Sequence, residues 1–143
     1  MTNLKYLLDV NVLIALTDEE HIHYSTARRW FDGPTKDWGV CAFSEAGFLR
    51  LSCHPRIGNL PMSDAFDILT TLSAYPGYRF WPLESGWTTL FAPFLDRVVG
   101  HQQITDAYLL GLAVRENGIL VTLDKAILHL AGAQYSRHVL LLE

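Results

Sequence analysis

Short apolar runs alternate with helix-patterned segments along the whole chain, and Gly or Pro punctuates the joints. This alternation constrains the fold more than any other feature. Tyr6 to Leu8, Trp38 to Ala42, Tyr78 to Trp81, Ile119 to Thr122 and Val139 to Leu142 read as short strands. Between them, Val12 to Leu16, His23 to Phe31, Trp87 to Phe94 and Lys125 to Ala131 carry helical spacing. Ser44, Ser63 and Thr105 stand where N-caps of further helices belong. The joints are Gly33-Pro34, Gly58 to Pro61, Pro76-Gly77, Pro82 and Gly118. Strands that alternate with helices predict an α/β sandwich around a mostly parallel sheet.

A chain of 143 residues without repeats or linkers predicts a single domain spanning 1–143. Half of its residues are hydrophobic and 18% are charged, which supports a large core and excludes global disorder. No apolar run is long enough for a transmembrane helix, so no membrane association is expected. The opening MTNLKYLLDVNVLIAL does not read as a signal peptide, because Asp9 and Asn11 interrupt it and no cleavage site follows. Cys41 and Cys53 lack metal-ligand spacing and read as reduced core thiols of a cytoplasmic protein. The net charge of −4 argues against a protein held to nucleic acid by a strong basic field. It leaves open an enzyme whose acidic centre is neutralised by cations.

Four acids carry the chemistry. Asp9 and Asp124 each fall just past the carboxyl end of a predicted strand. Glu45 and Asp106 fall in the first turns of predicted helices. Crossover helices run antiparallel to the strands of a parallel sheet, so helix starts and strand ends share one edge. That edge is where open α/β sheets form their binding crevice. Two carboxylates about 4 Å apart repel by roughly 4 kcal/mol at an effective dielectric of 20. Protons or cations must relieve that repulsion. Oxygen-only ligands favour Mg²⁺ or Mn²⁺ over zinc, and such an ion with its waters is the apparatus of phosphodiester hydrolysis.

Each residue also has a plainer reading. Glu45 and Asp106 could be partners of a helix dipole, and Asp9 and Asp124 could be turn residues. Asn11 could orient a carboxylate or a water without adding repulsion, or simply make a turn. Thr122 could bond a metal water, or be an ordinary β-branched strand residue. The run Asp18-Glu19-Glu20 before His21 and His23 reads as a solvated loop, and His101 as a polar loop residue. The aromatics fit core or interface faces. The arginines Arg28, Arg29, Arg50, Arg56 and Arg97 are scattered; RNA binding would need some of them, and the sequence does not single any out.

At these residues the sequence resembles a family. LLDVNVLIAL (7–16), SEAGFLRL (44–51), ITDAYLLGLA (104–113) and LVTLDKAI (120–127) follow the order and spacing of the PIN-domain ribonucleases. In particular they resemble the VapC toxins of type II toxin–antitoxin systems. HYSTARRWF (23–31) and HQQITDAYLL (101–110) resemble the subgroup abundant in mycobacteria. The resemblance implies a three-layer α/β/α sandwich with a five-stranded, mostly parallel sheet. It implies that Asp9, Glu45, Asp106 and Asp124 hold Mg²⁺ or Mn²⁺, with Asn11 and Thr122 matching supporting positions. It implies cleavage of single-stranded regions of RNA, often tRNA or rRNA, leaving 5′-phosphate and 3′-hydroxyl ends. It also implies a VapB-like antitoxin partner and a homodimer. Two other functions compete. A haloacid-dehalogenase-like phosphohydrolase also places an Asp after its first strand, but needs a second acid where this chain has Asn11. A non-catalytic PIN-like module would bind RNA or a partner without cutting.

Overall fold

The computed structural model describes residues 4–143; residues 1–3 of the opening segment lie outside the described residues. Four parallel strands form one sheet: β1 (Lys5–Leu8), β2 (Asp37–Gly39), β3 (Ile119–Thr122) and β4 (Val139–Leu141), in the order β2-β1-β3-β4. The helices are α1 (Val10–Thr17), α2 (Tyr24–Phe31), α3 (Ala42–Ser52), α4 (Met62–Ser73), α5 (Trp87–Phe91), α6 (Ile104–Arg115) and α7 (Ala126–Tyr135).

Side chains alternate across a strand, and here both faces are buried, which is why the strands read as apolar without a polar partner position. Leu7 and Leu120 join Leu90, Phe94, Tyr108, Ile127 and Leu130 in one core, beneath α5, α6 and α7. Leu8 and Val121 join Val12, Ala27, Phe48 and Leu72 in the other, beneath α1 to α4. The result is the three-layer sandwich expected from the sequence. No helix among the described residues is long and apolar enough to cross a membrane. Both cysteines are free; Cys41 is buried as expected, whereas Cys53 is only partly covered.

The sheet departs from expectation at its edge, having four strands and not five. The segment expected as a strand over 78–81 touches β2 and its continuation only through isolated parallel bridges, Trp38 to Tyr78 and Cys41 to Trp81. It does follow the sheet, since Arg79 N–H donates to the Trp38 carbonyl (2.8 Å) and Trp81 N–H to the Val40 carbonyl (2.9 Å). The pairing ends there because its partner does: Cys41, bridged to Trp81, is followed directly by α3 at Ala42. Gly39 admits the segment, because a Cβ at that position would collide with the Arg79 carbonyl.

The expected N-caps are also displaced. α3 starts at Ala42 with Cys41 as its cap, α4 at Met62 after Pro61, and α6 at Ile104 after a 3₁₀ turn over His101–Gln103. Ser44 therefore lies inside α3, fully buried, and its hydroxyl donates to the Leu8 carbonyl at 3.1 Å. It ties the helix to the end of β1 instead of capping it. Ser44→Ala is expected to lower stability by about 1–2 kcal/mol, because it strands a buried carbonyl. Urea unfolding should show a lower midpoint with an unchanged slope.

Candidate active site

The ends of β1 and β3 and the start of α6 converge on one side of the sheet. Asp9 follows β1 directly, and its N–H donates to the Val121 carbonyl (3.0 Å), which fixes it against β3. It also caps α1. Its Oδ1 accepts from Val10 N–H (2.7 Å) and its Oδ2 accepts from the Thr122 hydroxyl (2.9 Å). The residue is only 5% exposed. Burial pushes its carboxyl above the usual range; the Thr122 and Val10 bonds pull it back, and the Asp124 charge adds to the rise.

Thr122, fully buried at the end of β3, uses its hydroxyl twice. It donates to Asp9, and it accepts from Asp124 N–H at 3.0 Å. The side chain thus couples two of the acids by position. Asp124 in turn accepts from Ala126 N–H (2.9 Å) at the start of α7. Asp106, in the first turn of α6, is raised to about 7 by burial, then by the charges of Asp9 and Asp124.

Asp9, Asp106 and Asp124 line a single cleft of about 360 Å³, together with Asn11 and Arg50. The cleft continues past Asp106 and Asp124 into a second hollow of about 340 Å³, walled by His101, Gln102 and Gln103. Glu45 stands apart. It lies in the first turn of α3 as expected, yet it does not line the cleft, and its carboxyl is raised by burial alone. Its charge is felt by the Tyr78 phenol, which is raised first by burial and then by Glu45. His21 and His23 are surface residues bonded to one another through the His23 N–H and the His21 Nδ1 (3.0 Å), away from the acids.

A larger cavity, about 650 Å³, lies elsewhere, at the opposite ends of β1 and β2. Volume does not select the site. The one ammonium lining that cavity, Lys36, is already bonded to the carbonyls of Trp30 (2.6 Å) and Pro34 (2.9 Å). The acid cleft, by contrast, gathers groups that repel one another.

The donor set of the cleft fits a hard divalent cation. It is all oxygen, its carboxyls are held up by burial and mutual charge, and Asn11 Oδ1 is buried there without a hydrogen-bond partner. The set is open and not a closed cage: among the described residues, no three His, Cys, Asp or Glu side chains stand close enough together to enclose an ion by themselves. Mg²⁺ retains several waters and is held by few carboxylates, so an open set suits it.

The three aspartates and Asn11, singled out by the sequence, lie together in the cleft, and the Thr122 hydroxyl contacts Asp9 and Asp124. Arg50 also lines the cleft, although nothing in the sequence separates it from the other arginines.

The chain is similar to known proteins along most of its length. The PIN domain family matches residues 6–133. Ribonuclease VapC38 of Mycobacterium tuberculosis is 39% identical over 128 residues, 87% of this chain and 89% of that protein. Ribonuclease VapC44 of the same species is 37% identical over the same shares. Among solved structures, a toxin–antitoxin complex from Klebsiella pneumoniae matches with a TM-score of 0.63 and 13% identity, over 94% of this chain and 95% of that one. VapBC2 from Rickettsia felis, solved with a promoter DNA fragment, also gives 0.63, at 11% identity over 98% and 100%. These two show the shared fold. With the family match spanning most of both cores and every residue lining the cleft, the chain belongs to the PIN-domain family, and its curated relatives are VapC ribonucleases.

Proposed function

We propose that the protein is a divalent-cation-dependent endoribonuclease that hydrolyses single-stranded regions of RNA, tRNA or rRNA among them, as the toxin of a toxin–antitoxin pair in the cytoplasm. The observation that carries this reading is the convergence of Asp9, Asp106 and Asp124 on one cleft, where each of Asp9 and Asp106 feels its aspartate neighbours. Asp9, Asp106 and Asp124 would hold Mg²⁺ or Mn²⁺, with Glu45 as the fourth acid from the facing helix α3. A bound ion of this kind supplies an acidified water and neutralises charge on the phosphate. The chain's own part is to fix the carboxylates. Val10 N–H and the Thr122 hydroxyl orient Asp9, and Ala126 N–H orients Asp124. Asn11 adds a neutral oxygen without further repulsion.

The relatives' names support ribonuclease chemistry, and the toxin–antitoxin complexes among the structural neighbours support an antitoxin partner. A homodimer is the expected assembly. The position of Glu45 outside the cleft is the one observation that favours a non-catalytic PIN-like module. The phosphohydrolase alternative loses its proton donor, because the Asn11 carboxamide has none to give.

The deciding experiment is incubation of total cellular RNA with Mg²⁺, with Mn²⁺ and with chelator, followed by end-mapping. The expected result is cation-dependent cuts with 5′-phosphate and 3′-hydroxyl ends, lost in Asp9→Asn. RNA bound equally well without cations and never cut would favour the module. A second expected outcome concerns stability. At a Mn²⁺ concentration tenfold above its dissociation constant, the protein should gain about 1.4 kcal/mol. That gain corresponds to roughly 3–5 °C in thermal midpoint for a chain of this size. Asp9→Asn should lose most of it.

A further inference from the structure

Among the described residues, Arg50 is the one basic residue lining the cleft that holds the aspartates. Among the described residues it makes no ion pair, although three carboxylates line the same cleft. It is exposed, in the last turn of α3. Its position follows from Gly47, one turn earlier on the same face of the helix. A Cβ at 47 would press to 2.6 Å from Val10 Cγ2, so its absence lets α3 close on the start of α1 and brings Arg50 to the cleft wall.

A guanidinium that serves as counter-ion to neighbouring acids pairs with them. This one does not, and it is left available for an anion brought in from outside. The net charge of −4 makes the general field repulsive to a polyanion, so local attraction at the acids has to come from a specific cation. Guanidinium suits a phosphate by its planar fork of donors. The cleft extends on both sides of Asp106 and Asp124, toward Arg50 on one side and toward His101 and Gln102 on the other. A strand laid along it has its reacting phosphate at the aspartates and its next phosphate at one end.

We propose that Arg50 binds the phosphate next to the scissile one in a single-stranded RNA substrate and so sets the position of the strand across the aspartates. This rests on the endoribonuclease reading given above. The test uses an RNA of about 12 nucleotides spanning a cut mapped in total RNA, a length within the span of single-strand grooves. Cleavage by wild type, Arg50→Gln and Arg50→Lys is followed against substrate and salt concentration. Arg50→Gln is expected to raise KM about tenfold with little change in kcat, as loss of one charge-assisted contact implies. The logarithmic salt dependence of KM should flatten by about 0.7. Arg50→Lys should recover much of both, and the Mn²⁺-induced rise in thermal midpoint should be the same in all three proteins. Unchanged KM and salt slope in an otherwise active Arg50→Gln would overturn the Arg50 assignment alone. So would a fall in kcat at constant KM. A wild-type protein that cuts no RNA with either cation would overturn the nuclease reading and this inference with it.

Discussion

Replacing Asp106 by asparagine is expected to lower cation-dependent RNA cleavage about a thousandfold, on the scale of losing one principal charge-stabilising group. The same substitution should make the cation-free protein more stable at pH 8. The two effects have one cause. Burial and the charges of Asp9 and Asp124 raise the Asp106 carboxyl from 3.8 to about 7. The folded chain therefore holds a proton that the unfolded chain releases. Stability linked to that proton is fully present below pH 3.8, falls as pH rises through the window, and is gone above 7. Asparagine removes the dependence, because it never ionises. Solvent in the cleft screens part of the effect, so the gain above pH 7 is about 2 kcal/mol, below the unscreened limit. Urea titrations in chelator should show Asp106→Asn and wild type alike near pH 4 and separated at pH 8, with the variant higher. Saturating Mn²⁺ should reverse the order at pH 8, since only the wild type keeps the full set of carboxylates. An Asp106→Asn protein that is less stable than wild type in chelator at pH 8 would mean that the aspartate is held by favourable contacts and not by a site built for a cation.

The parts of this site legible in the sequence are those that depend on topology. Asp9 and Asp124 follow strands, Asp106 opens a helix, and a parallel sheet puts such positions on one edge whatever the side chains do next. The parts not legible depend on which tertiary partner claims a polar group. Ser44 has the chemistry of a cap, but the Leu8 carbonyl on the neighbouring strand takes its hydroxyl, and the helix begins two residues earlier. Thr122 looks like any β-branched strand residue until its hydroxyl is seen between Asp9 and Asp124. Glu45 shows the same limit from the other side. Its helix turn is where the pattern puts it, while its carboxylate is not among the groups lining the cleft. The missing fifth strand is also a tertiary matter. The apolar pattern over 78–81 is real, and Trp81 is buried, but the segment meets β2 and its continuation only at isolated bridges, and the partner backbone turns into α3 directly after Cys41.

Thr122 carries the second large effect. Thr122→Val keeps the shape of the side chain and removes a hydroxyl with two partners. A buried carboxylate oxygen then loses its donor and the Asp124 N–H loses its acceptor. Leaving such groups unpaired costs about 1–3 kcal/mol each, so a fall of roughly 3 kcal/mol in stability is expected. The functional effect should be larger than that loss alone conveys. The Thr122 bond is the strongest influence pulling the Asp9 carboxyl down against burial. Without it Asp9 holds its proton to higher pH, and a cation has to compete with that proton for the oxygen. Loss of a partner that orients a ligand weakens metal binding by about 10–100-fold. Half-saturation of cleavage by Mn²⁺ should therefore move up by that factor at pH 7 and recover in part at pH 8.5, where the proton leaves more readily. The wild type should change less over the same interval. Thr122→Ser restores the hydroxyl without the methyl and should restore most of the affinity and its pH dependence, even where it packs less well. If Thr122→Val matches wild type in Mn²⁺ requirement at both pH values, Asp9 does not owe its protonation state to this contact, and its role as a cation ligand would need another support.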